Sequence, residues 1–188
     1  MKTVILLIDF KGHQILADDY VNKLRYSTLQ QITEDTSIDR NSSVILSIGN
    51  SIRDKKLQEI QNIAINERWK WLDIENVNSS VEDIEQLVLQ TLNFQMHNHN
   101  TQIVIGGCNT SGCVIKSKLC SAKYFSEKKY KTNIVLPMCA EYEASGINDI
   151  EKNMKAFVRV YNYVKKNKLN YIDVVEAIND IDFKKIDT

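Results

Sequence analysis

Val4, Ile5, Leu6, Leu7 and Ile8 form a run that is apolar at every position. A strand with one wet face would alternate apolar with polar residues, so an unbroken run reads as a strand covered on both faces, as parallel strands are. Val44 to Gly49 and Ile103 to Gly107 repeat the pattern, Asn133 to Met138 gives another such run, Trp69 to Ile74 a weaker one, and Tyr171-Ile172 a short last one. Between these runs the apolar period becomes helical. Leu16 to Glu34 carries Ala17, Tyr20, Val21 and Leu24 at helical spacing; Leu57, Ile60, Ile63 and Ala64 make a stripe, as do Val81, Ile84, Leu87, Val88 and Leu92. Further helices are expected from Ser111 to about Lys128, from Ile150 to Lys165 with Met154, Phe157, Val158, Tyr161 and Val164 inward, and over Val174 to Ile178. Strict strand–helix alternation predicts an α/β fold: a three-layer sandwich with a mostly parallel six-stranded sheet, right-handed crossovers and helices on both faces.

The length of 188 residues suits one domain, spanning 1–188, with a proper core. Only one proline and six glycines are present, which argues against a many-turned sandwich or barrel. Lys and Arg total 24 against 24 Asp and Glu, so no global field gathers nucleic acid or anionic lipid, and neither partner is expected. The apolar run before Asp9 is too short for a signal segment or a membrane span. The four cysteines, Cys108, Cys113, Cys120 and Cys139, lack paired metal-site spacing and do not form a disulfide framework. A reduced, cytoplasmic location is the expectation, with Cys108, Cys120 and Cys139 as small core hydrophobes.

In open parallel sheets the ligand site lies outside the carboxyl ends of the strands. That rule selects Asp9, Asn50, the stretch Cys108 to Cys113, and Cys139 to Glu141. Asp9 follows the first apolar run directly, where a carboxylate is partly desolvated and suited to work as a general base; the alternative is a carboxylate bonded to loop amides. Gly106 and Gly107 permit an unusual backbone or a close approach of a ligand at a strand end. Thr110 or Ser111 can cap the next helix, which puts Cys113 in its first turn, where unpaired amides and the helix dipole favour a thiolate. Cys113 and Asp9 are then candidates for a nucleophile and base pair, against the reading of Cys113 as a buried helix-start cysteine.

Val4-Ile5-Leu6-Leu7-Ile8-Asp9-Phe10, followed by Gly107-Cys108-Asn109-Thr110-Ser111-Gly112-Cys113-Val114, resembles the isochorismatase-like cysteine hydrolases, a family that includes isochorismatases, nicotinamidases and carbamoyl amidases. The order and separation of the two motifs match, as do the run Asn133 to Met138 before Glu141 and the closing Tyr171 to Ile178. The resemblance implies a covalent mechanism. Asp9 takes the proton of Cys113, the thiolate attacks a carbonyl carbon, and water activated by Asp9 releases the acyl-enzyme. It also implies that the backbone N–H groups of Asn109 and Cys113 hold the oxyanion, beside a cis peptide at Cys108–Asn109. The implied partner is a small-molecule substrate, an amide, ester or enol ether, and the resemblance implies self-association as a homo-oligomer.

The family's third catalytic residue, a lysine at the end of the third strand, has no counterpart in Trp71 to Ser80. Lys70 is nearest, but it falls at the start of that strand and reads as a solvated edge charge. The Asp-x-His metal element of nicotinamidases is absent after the second strand, so no metal and no cofactor are expected; His97 and His99 read as a surface turn, and His13 stands apart from them. Trp69 and Trp71 read as core packing ahead of a pocket wall or an oligomer contact. Two functions of different class follow: a cysteine hydrolase, or a binding or assembly protein on the same fold with a degenerate site. A flavodoxin-like nucleotide binder would need a Gly-rich phosphate loop after the first strand, which Asp9 to His13 does not supply.

Overall fold

The computed structural model describes residues 1–10, 20–49, 55–75, 79–108, 113–114, 121–140, 162, 165–166 and 171–172. Five strands form the body of the sheet: β1 (Lys2–Ile8), β2 (Ser43–Ile48), β3 (Lys70–Ile74), β4 (Thr101–Cys108) and β5 (Lys131–Ala140). A two-residue strand, β6 (Tyr171–Ile172), pairs with β5. The six strands expected are thus five full ones and a short edge. All described pairings are parallel, and the order is β3-β2-β1-β4-β5-β6.

Four helices are described: α1 (Tyr20–Glu34), α2 (Lys55–Asn66), α3 (Val81–Leu92) and α4 (Ala122–Glu127). They divide between the two faces because successive strand residues point to opposite sides. Val4, Leu6 and Ile8 of β1 pack with Val81, Ile84 and Val88 of α3 and with Ala122 and Phe125 of α4. Ile5 and Leu7 pack with Leu29 and Ile32 of α1 and with Leu57, Ile60 and Ala64 of α2. The unbroken apolar run is thereby explained: every β1 residue from Thr3 to Ile8 is buried, on one face or the other.

Local signals set the helix ends. Ser80 caps α3 by accepting from the Asp83 N–H at 3.1 Å, while the Ser80 N–H donates to the Asp83 carboxylate at 2.7 Å. This reciprocal box satisfies two otherwise orphan donors. Asn93 closes the same helix with a left-handed φ of 52°. The helix expected from Ser111 to Lys128 is not continuous: Ser121 has extended backbone (φ −103°, ψ 162°) and α4 starts after it. Apolar spacing cannot report a break of this kind, since Ala122 and Phe125 stay in helical phase on either reading.

Of the stripe expected on α1, Ala17 and the side chains of Tyr20 and Val21 lie outside the described residues. Leu24 is only half-buried, whereas Arg25, Tyr26, Thr28, Leu29, Ile32 and Thr33 are buried. The polar members of that face are satisfied locally or by strand ends. Thr28 donates to the Leu24 carbonyl and Thr33 to the Gln30 carbonyl, each at 2.8 Å. Trp69 is buried with its indole N–H donating to the Thr33 carbonyl at 2.8 Å, and Trp71 packs partly buried against the same cluster, so both tryptophans serve the core.

The other face is tied down by a polar cluster. Lys128 Nζ lies 2.7 Å from Glu82 and 3.2 Å from Glu85, and the Tyr130 hydroxyl donates to Glu85 at 2.8 Å. These contacts join α3 to the turn that leads into β5. Burial, and then the hydrogen bond to Glu85, raise the Tyr130 phenol well above its ordinary value of 10.0. The folded state therefore holds this proton more tightly than the unfolded chain, and the resulting stability is lost as pH rises above that ordinary value. Tyr130→Phe is expected to cost about 1–3 kcal/mol at neutral pH through loss of the charge-assisted bond. The gap to the parent should narrow by about 1 kcal/mol in denaturant titrations near pH 11, and a gap that stays constant would show that Tyr130 does not carry the effect.

Candidate active site

The strand order reverses at β1, with β2 and β3 on one side and β4, β5 and β6 on the other. The connection that leaves β1 runs to β2 on one side, and the connection that enters β4 on the other side comes from β3, so the switch point lies at the carboxyl ends of β1 and β4, where open α/β sheets bind ligands. Asp9 is the residue at that point. It is half-buried, and its backbone N–H donates to the Ile48 carbonyl at 2.7 Å, which carries the β1–β2 ladder one residue beyond the strand. Its φ of 45° is left-handed, an uncommon conformation outside glycine that aspartate tolerates better than most residues. Gly49 turns the same way at the end of β2, with φ 75° and its N–H on the Ile74 carbonyl at 2.8 Å.

β4 arrives beside β1 with Ile8 level with Gly107, so Asp9 follows β1 next to Cys108, which still pairs with Ala140 of β5. The glycine pair makes this approach possible. A Cβ on Gly107 would lie 1.9 Å from the Ile8 carbonyl oxygen, and the residue has φ 151°; a Cβ on Gly106 would lie 2.5 Å from Cβ of Met138. The unusual backbone expected at the glycines is present at Gly107, and the atoms that approach both glycines closely are those of the neighbouring strands. Gly107→Ala is expected to destabilise the fold by at least about 3 kcal/mol, combining backbone strain with overpacking. Thermal and denaturant unfolding measure it, and a loss below about 1 kcal/mol would show that β1 and β4 can move apart.

On its other edge β4 meets an irregular β5. Ile105 pairs with Ile134 and Gly107 with Cys139, so two steps along β4 correspond to five along β5. The single proline, Pro137, falls within this slip, where its missing N–H is tolerated. Cys108 and Cys139 are buried, in keeping with their reading as core residues, while Cys120 lies outside the described residues. Cys113 is exposed, and the adjacent Val114 is fully buried in the cluster with α3 and α4. The buried-cysteine reading of Cys113 therefore does not hold. Asn109, Asn50, Glu141 and His13 lie outside the described residues.

Several candidates fall away from this end of the sheet. Lys70 starts β3, is exposed, and donates to the Thr91 carbonyl at 3.0 Å near the end of α3, so it sits at the amino edge. His97 and His99 are exposed in the turn before β4, also at the amino edge, with rings stacked at 5.4 Å. Among the described residues no cluster of three or more His, Cys, Asp or Glu could hold a metal ion, and no helix is long and apolar enough to cross a membrane.

One residue at this end was not foreseen. Arg25 of α1 is 1% exposed, and its guanidinium donates to the Phe10 and Met138 carbonyls, each at 3.3 Å, with its central carbon 4.5 Å from the Phe10 ring centroid. The sequence holds one trace of it: Arg25, Leu29 and Ile32 share a helical stripe, which places a charge in line with core residues. A scan against protein-family models and searches of curated proteins and of solved structures found no match to this chain.

Proposed function

We propose that this chain is a cysteine hydrolase of the isochorismatase-like type, acting on a small amide, ester or enol ether. The observation that carries the reading is that Asp9 and the segment leading to the exposed Cys113 leave adjacent strands, β1 and β4, at the point where the strand order reverses. A carboxylate and a thiol brought together at such a switch point supply a base and a nucleophile.

For an amide or ester the reaction has an acylation and a deacylation half. The Asp9 carboxylate accepts the Cys113 thiol proton as sulfur bonds to the carbonyl carbon, and the backbone N–H groups of Asn109 and Cys113 hold the oxyanion. Collapse of the adduct breaks the bond to the leaving amine or alcohol, which takes the proton from Asp9. Water then gives a proton to Asp9 and its oxygen to the thioester carbon. The acid departs and Cys113 recovers its thiol proton.

The same fold with a degenerate site, serving binding or assembly, is the second reading. It is favoured by one observation: no lysine occurs in Trp71 to Ser80, and Lys70 is engaged at the far end of the sheet. A hydrolysis screen over small amides and esters separates the two. Turnover is expected in the parent, with Cys113→Ala abolishing it and Asp9→Asn lowering it by about 10²- to 10⁴-fold. In parallel, iodoacetamide should label Cys113 faster than Cys120. Turnover that survives Cys113→Ala, or labelling of Cys113 no faster than Cys120, would sink the hydrolase reading.

A further inference from the structure

A buried guanidinium is an expensive way to fill space: an apolar side chain of similar volume is often as stable or more so, and a charge so placed must be hydrogen-bonded. Arg25 therefore calls for a reason beyond packing. Its two described acceptors are main-chain carbonyls at the end of the sheet where Asp9 emerges. Nη2 donates to Phe10, the residue immediately after Asp9, and Nε to Met138, inside the slipped stretch of β5 and next to Cys139, the partner of Gly107. The Phe10 ring is buried beneath the guanidinium and meets Tyr26 edge-on at 6.0 Å.

The main chain is thus tied on both sides of Asp9. Ahead of the side chain, the Asp9 N–H is held by Ile48 of β2; after it, the Phe10 carbonyl is held by Arg25. A left-handed φ at a non-glycine residue persists when its surroundings over-determine it, and these two ties do so. The planar fork of an arginine can serve two carbonyls at once, where a lysine offers a single point charge.

We propose that Arg25 is a positioning residue for Asp9. By fixing the Phe10 carbonyl against β5 it sets the direction in which the aspartate leaves β1. The inference rests on the reading of Asp9 as the base for Cys113.

The test follows the pH profile of Cys113 alkylation by iodoacetamide, resolved by peptide mass spectrometry, in folded parent, Asp9→Asn, Arg25→Met, Arg25→Lys and Thr28→Val. Thr28 is also fully buried on α1 but bonds within its own helix, so its valine variant reports the loss of a buried hydrogen bond on that helix without a tie to Phe10 or Met138. Asp9→Asn should displace the profile. Arg25→Met should move it at least about half as far in the same direction, Arg25→Lys should move it less, and Thr28→Val should leave it in place. If Arg25→Met does not fold, Arg25→Lys is read in its stead. A parent-like profile in the Arg25 variants with a displaced one in Asp9→Asn overturns the positioning role and leaves the base reading standing. A displacement in Thr28→Val equal to that in Arg25→Met also overturns it. A parent-like profile in Asp9→Asn removes the base reading and the Arg25 inference together.

Discussion

Strand β1 has neither a free edge nor a free face, and the rest of the molecule is arranged around that constraint. Its backbone is laddered to β2 on one side and β4 on the other. Its side chains alternate between the core under α3 and α4 and the core under α1 and α2. Removing either helical layer would return half of the strand's apolar side chains to water, at about 25 cal/mol for each Å² exposed. A strand so enclosed can carry polar chemistry only where it emerges, so the first carboxylate along it, Asp9, is delivered to the carboxyl end of the sheet.

The close fit of β4 against β1 has costs that are met nearby. Glycine at 107 removes the atom that would strike the Ile8 carbonyl, and glycine at 106 removes the one that would strike Met138. The slip of β5 against β4 carries Pro137 and turns the Met138 carbonyl to Arg25. A buried arginine is an unusual acceptor of that task, but its fork reaches Met138 and Phe10 together, bridging the ends of β1 and β5 across β4.

Much of this was legible from local pattern. The five main strands, the stripes of α2 and α3, the burial of Trp69 and the surface turn of His97 and His99 follow from hydrophobic period and residue chemistry. The break at Ser121 was not legible, because the residues after it keep the helical phase. The burial of Thr28 and Thr33 on α1 was not legible either: both satisfy their hydroxyls on their own helix, so they can be buried without looking apolar.

Asp9 and Cys113 enter the candidate site from their neighbours in the chain, since a carboxylate ending an apolar run and a cysteine beyond a glycine pair are local facts. Which strands would flank β1, and which carbonyls Arg25 would hold, could not be read in that way. Arg25 and Met138 stand 113 positions apart, and no period or spacing links them. Hydrophobic alternation is written residue by residue and survives in the unfolded chain's sequence, whereas strand order and the partners of buried polar groups exist only once distant segments have packed together.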